Sequence, residues 1–292
     1  MKRYQHAIIA VDLFENHMAF VHRALFFAKA HTRRVTICHS VPYLSSLAPY
    51  AMSFQDALHS DAAERLKTLK ANLPEALISD LKITFEMHLG APKYKVCELA
   101  KAQNADLIIT GSHGKHGVDL LLGSTANGIL HLAHCDVLTI RVDFEGHCLV
   151  KHKDYQRMLL ATDFFKDGEI VQRTFFGLAE AHLKDVAVVT VIPDATMLAV
   201  AYMPSLESEI EQQAKDHMEA LRKTHGLSET QTSVHSGQPK LEILDAAAAH
   251  HADLIVLGSH GRGAIASMLL GSTANAVLHG AATDVLVVRI RG

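Results

Sequence analysis

The chain has 292 residues, 49% hydrophobic and 20% charged, with a net charge of −3. That length corresponds to roughly two domains. The composition is globular rather than disordered, and the charge gives no electrostatic reason to bind nucleic acid or an anionic membrane. The apolar run His6–Val11 predicts a first strand; it reaches Asp12 too soon for a signal peptide or a bilayer span. A helical pattern over His17–His31 follows, then a strand at Arg34–Val41, a long amphipathic helix at Ser53–Asn72 and a strand at Lys82–Leu89. Pro92 suits the start of a helix that runs to about Asn104. A strand at Asp106–Thr110, a helix at Thr125–Ala133 and a strand at Val137–Val142 complete the half.

The second half repeats this order: strands at 157–162, 185–192, 230–235, 253–257 and 284–290, with helices at 168–182, 206–225, 239–250 and 273–279. Continuous apolar strands separated by helices imply a parallel sheet covered on both faces. The expected class is therefore α/β, with two tandem doubly wound five-stranded parallel-sheet domains. Their expected bounds are 1–143 and 157–292, joined by a charged linker at 144–156 that lacks a clean period.

The halves also match residue by residue. Gly111-Ser112-His113-Gly114 recurs as Gly258-Ser259-His260-Gly261, displaced by 147 residues. Gly123-Ser124-Thr125-Ala126-Asn127 recurs as Gly271-Ser272-Thr273-Ala274-Asn275, displaced by 148. AIIAVD at 7–12 is answered by MLLATD at 158–163, and CDVLTIRV by TDVLVVRI. Landmarks kept in order at nearly one offset indicate a duplication.

The repeated loop carries the chemistry. Glycines allow close backbone approach and positive φ, so that successive N–H groups can form an anion-binding nest. The following Ser-Thr pairs open helices, where free N–H groups and the helix dipole favour phosphate. Their hydroxyls could bind phosphate or act as helix caps. Asp12 and Asp163 end the first strands, on the rim where open α/β sheets bind ligands. No Gly-Lys-Ser/Thr occurs, which excludes a Walker A loop, and the glycine spacing is not that of a dinucleotide fingerprint. Lys115 and Arg262 adjoin the middle glycines, where solvated side chains are the expectation. Four cysteines (Cys38, Cys97, Cys135, Cys148) and the pairs His131/His134 and His250/His251 fall in no recognised metal pattern. A reducing cytoplasm is the expected compartment.

The second loop, Gly258 to Thr273, resembles the ATP-binding signature of the universal stress protein family, and the resemblance covers both halves. It implies an adenine-nucleotide α-hydrolase-like fold, a pseudo-two-fold pair of domains, and ATP or AMP held with Mg²⁺. On this resemblance Asp163 meets the adenosine, the Val191 backbone meets the base, and Gly258, Gly261, Gly271, Ser272 and Thr273 contact phosphate. In the first half Asp12, Gly111, Gly114, Gly123, Ser124 and Thr125 match, while Ser40 replaces the valine. Eight residues separate Gly114 from Gly123 where the family motif has nine, so the second site is expected to be the better formed.

The function implied is a nucleotide-binding stress-response regulator. The alternatives are a slow Mg²⁺-dependent ATPase, for which no general base is evident, and a nucleotide-free dimeric scaffold or chaperone-like protein. Pairing of the two domains through their last strands is expected, because an apolar edge is an aggregation hazard unless covered. Homodimerisation is a further option; nucleic acid and membrane are not expected partners.

Overall fold

A computed structural model describes residues 3–14, 16–43, 51–112, 122–143, 145–151, 154–163, 168–180, 182–194, 204–260 and 270–290, with the side chains of 51–53 and 204–207 left aside. The chain divides into two compact units, Met1–Asp154 and Tyr155–Gly292.

In the first unit β1 (Tyr4–Ala10), α1 (Met18–His31), β2 (Thr32–Val41), α2 (Ala51–Asn72) and a short α3 (Glu75–Ile78) precede β3 (Lys82–Leu89). Then come α4 (Pro92–Ala102), β4 (Leu107–Gly111), α5 (Ser124–Leu132) and β5 (Asp136–Ile140). The strands pair in parallel in the order β3-β2-β1-β4-β5. The second unit contains β6 (Met158–Ala161), α6 (Gly168–Leu178), β7 (Val186–Pro193), α7 (Pro204–His225) and β8 (Thr232–Gly237). α8 (Pro239–Ala249), β9 (Leu254–Gly258), α9 (Ser272–Gly280) and β10 (Asp284–Val288) complete it. Its order, β8-β7-β6-β9-β10, repeats the first, again in parallel.

The apolar strands are inside because helices cover both faces. Leu107–Ile109 and Leu254–Val256 are fully buried, as a doubly wound sheet requires of its central strands. Pro92 and Pro239 open α4 and α8, where the missing N–H costs nothing. Just past those helices Asn104 and His251 take positive φ, 51° and 52°, turning the chain into the next strand.

The repeat extends to polar contacts. Asp106 accepts the backbone N–H groups of Gln5 and His6, and Asp253 those of Gln156 and Arg157. The Tyr4 hydroxyl donates to Asp136 at 2.9 Å, and that of Tyr155 to Asp284 at 2.8 Å. Each clamp fixes the start of a first strand against the start of the fourth or fifth. Burial of Tyr4 beside the Asp136 carboxylate holds its phenol well above the usual range, so it remains a donor.

The segment expected as a linker begins folded against the first unit. Val142 forms an antiparallel bridge to Cys148, Leu149 N–H donates to the Arg141 carbonyl, and Asn16 Nδ2 donates to the Glu145 carbonyl. The turn depends on Gly146 at φ +82°, where a Cβ would collide with the Asn16 backbone. A glycine turn has no hydrophobic period, so the pattern that reveals helices and strands does not register it.

Candidate functional site

In a sheet of this order the chain winds outward in opposite directions from the first and fourth strands. The carboxyl ends of those two strands therefore diverge and leave a crevice. In the second unit the crevice is a cleft of about 550 Å³. Asp163 follows β6, Val191 lies near the end of β7, and Gly258 ends β9. Gly271, Ser272 and Thr273 close the opposite side at the start of α9. Six of the seven residues expected from the second half thus line one cleft. Gly261, with Arg262 beside it, lies outside the described residues.

Ser259 organises the loop stems. It is fully buried; its N–H donates to Val288 O at 2.8 Å and its carbonyl accepts from Gly271 N at 2.7 Å. Its Oγ accepts the Ile290 N–H at 3.2 Å and lies 3.0 Å from His260 Nδ1. The loop therefore leaves and re-enters the fold through one hydrogen-bonded junction. Gly271 is the N-cap of α9 and brings no side-chain capping bond, so Ser272 and Thr273 occupy helical positions and not the cap. Ser272 to Ala274 line the cleft, and no side chain caps the backbone N–H groups of that first turn, which places the positive end of the helix dipole at the cleft. A Cβ on Gly271 would stand 3.2 Å from His260 Cα and 3.3 Å from Ser259 O. Backbone yields less readily than a side chain, so a larger residue there would have to displace the loop stem by a few tenths of an ångström.

Asp163 is exposed at the mouth and is the only carboxylate among the described lining residues; no described lysine or arginine lines the cleft. An anion there would be met by amides and a helix terminus. Among the described residues no group of three or more His, Cys, Asp or Glu is placed to hold a metal. His250 instead contacts the Asp185 carbonyl at 3.0 Å. Cys38 is buried and its thiol is pushed up to about 12, mainly by burial, so it is not a nucleophile at neutral pH.

Sequence reasoning passed over the wall contributed by α7, where Gln213 and His217 line the cleft. The signal is present in the repeat of small or polar residues at Gln213, Ala214 and His217 on one helical face.

The first unit builds the same junction. Ser112 N–H donates to Ile140 O at 2.9 Å, Gly123 N–H to Ser112 O at 2.6 Å, and Val142 N–H to Ser112 Oγ at 3.1 Å. Gly123 caps α5 as Gly271 caps α9, placing Ser124 and Thr125 in the first turn, and Gly111 ends β4. Strand register equates Ser40 with Val191, because Ala10 pairs with Cys38 and Ala161 with Val189. The Ser40 hydroxyl donates to the Gly90 carbonyl at 2.8 Å, and Asp12 Oδ1 accepts the Phe14 N–H at 3.0 Å. Gly114, His113 and Lys115 lie outside the described residues.

Two parallel sheets of order 3-2-1-4-5, each with a glycine-capped helix at the switch between its first and fourth strands, define a tandem α/β protein of the doubly wound class. The sequence profile of the universal stress protein family matches residues 3–141 and again 154–289, and the chain belongs to that family. It is 35% identical to universal stress protein A homolog 2 of Coxiella burnetii over 148 residues, 49% of this chain and 98% of that protein. A universal stress protein of Mycolicibacterium smegmatis is 24% identical over 295 residues and 97% of each chain. The crystal structure of a universal stress protein from Archaeoglobus fulgidus has the same fold, with a TM-score of 0.68 at 21% identity over 99% of this chain and 97% of that one.

Proposed function

We propose that the second domain binds an adenine nucleotide, ATP or AMP, and that the protein is a regulatory member of its family whose nucleotide state sets a conformation or a partner surface. The observation carrying this reading is the cleft of about 550 Å³, which joins an apolar wall to the first turn of α9, where no side chain caps the backbone. A base and ribose fit the wall formed by Val191, Ile243 and Asp163; phosphates fit the amides from Ser272 to Ala274. Mg²⁺ would enter with the phosphates, since Asp163 is the one described carboxylate in reach.

Calorimetric titration of the purified chain with ATP and Mg²⁺, after mass spectrometry for nucleotide carried through purification, tests the proposal. Gly271→Val should weaken ATP at least tenfold, which is about 1.4 kcal/mol. An unchanged affinity in a folded variant would remove α9 as the phosphate site.

A further inference from the structure

We infer that the first domain is closed to nucleotide by its own side chains, a plug formed by Phe14, His39 and Arg65; the inference rests on the nucleotide reading of the second domain. Three walls surround the second domain's cleft: the turn after β6, the end of β7, and the inward face of α7. In the first domain a stack of side chains bridges the corresponding three walls.

The correspondence follows from register. Ala10 pairs with Cys38 and Ala161 with Val189, so His39 stands where Thr190 stands. Ala62 and Leu69 of α2 match Ala214 and Leu221 of α7, which puts Arg65 at the position of His217. Thr190 and His217 both line the cleft. In the first domain their larger counterparts meet across Phe14. The Phe14 ring packs edge-on to His39 with centroids 5.4 Å apart, and the Arg65 guanidinium lies 5.4 Å from the Phe14 centroid. Phe165, the counterpart of Phe14, lies outside the described residues.

Each member is held from behind. His39 is buried, with Nδ1 2.9 Å from the Val11 carbonyl. Burial holds this imidazole below its usual range, which keeps it neutral against an aromatic edge. Asp61 grips Arg65 Nε at 2.9 Å, and Arg65 NH1 reaches the Leu13 carbonyl. Asp12 is engaged by the Phe14 N–H, so the acid expected to take a ribose instead fixes the turn that carries the plug. The matching second-domain positions are filled by smaller Thr190 and His217, with Gln213 in place of Asp61. His39 and Arg65, which hold Phe14 between them where the second domain has Thr190 and His217, are thus the pair that sets how many nucleotides the chain can take.

Titration of the full-length chain with ATP and Mg²⁺ reads this directly as a stoichiometry. The wild type should bind one nucleotide per chain, and Gly271→Val none. Phe14→Ala should bind two, while Phe14→Leu, which keeps the space filled, should remain at one. Thermal unfolding of each variant establishes that it is folded. Should Phe14→Ala not fold, Arg65→Ala at an exposed helical position uncovers the same ring and should raise the count above one. Two nucleotides on the wild type, or a count fixed at one in a folded opened variant, overturns the plug. No binding by wild type with one bound by Phe14→Ala would support the plug and overturn the second-domain reading. No binding by either overturns both.

Discussion

At the scale of single residues, the buried serines and tyrosines do more than their type suggests. Ser259 Oγ is the acceptor for Ile290 N–H, and no water has access to replace it. Ser259→Ala should therefore strand a buried donor and cost about 1–3 kcal/mol, read as a lower midpoint in denaturant unfolding. Because the same serine ties the loop's exit to its return, ATP affinity should fall with it; a stability loss with unchanged affinity would separate the junction from the site. Tyr4→Phe and Tyr155→Phe form a matched pair, each removing a donor from a buried carboxylate. Each should cost about 1–3 kcal/mol. A large effect in one domain and none in the other would show that the clamps, though alike in geometry, differ in energy.

At the scale of elements, the ten strands and most helices are legible from sequence because each is a run of one period bounded by glycine, proline or charge. The predicted strand Lys82–Leu89 and the helix start at Pro92 agree with the structure to the residue. Elements made by turns are not legible in this way: α3 is four residues beginning after Pro74, and the fold-back at Gly146 is set by φ. Gly146→Ala should accordingly destabilise the first domain through strain at the Asn16 contact, by more than the roughly 1 kcal/mol of an ordinary glycine replacement. Chemical denaturation of the variant checks this, and a stable variant would mean the turn can rearrange. The candidate site divides along the same line. The glycines and the Ser-Thr pair are written as a motif, but Gln213, His217 and the Phe14 stack arise from packing between elements distant in the chain, and no local pattern announces them.

At the scale of the whole molecule, the two domains should differ in their response to acid. Burial holds His6, His31 and His39 of the first domain below the ordinary imidazole range, with Arg34 adding to the effect at His6. In the second domain His225 is held down in the same way, its ring stacked on Phe176 at 3.5 Å. A histidine whose folded pKa is lowered binds its proton more readily in the unfolded chain. The stability it contributes is complete above the unfolded value of about 6.5 and is lost as pH falls from there through the folded value. The first domain, with three such groups against one among the described residues, should lose more stability between about pH 7 and 5. Differential scanning calorimetry should then resolve a transition that moves to lower temperature ahead of the other. His39→Gln should blunt that movement, and coincident shifts of both transitions would exclude this origin.

The paired junctions at Ser112 and Ser259 have a consequence for how such chains diverge. Each closes a loop with a hydrogen bond of nearly the same length, 2.6 and 2.7 Å, although ten residues intervene in the first domain and eleven in the second. Chain closure over ten or eleven residues differs by only about 0.1 kcal/mol, so the scaffold scarcely registers an inserted or deleted residue. The loop behaves as a cassette in a fixed socket. After duplication the loop of one copy could change length by a residue with almost no cost in chain closure. By the same token, exchanging residues 113–122 for 260–270 is a graft the first domain's frame should accept.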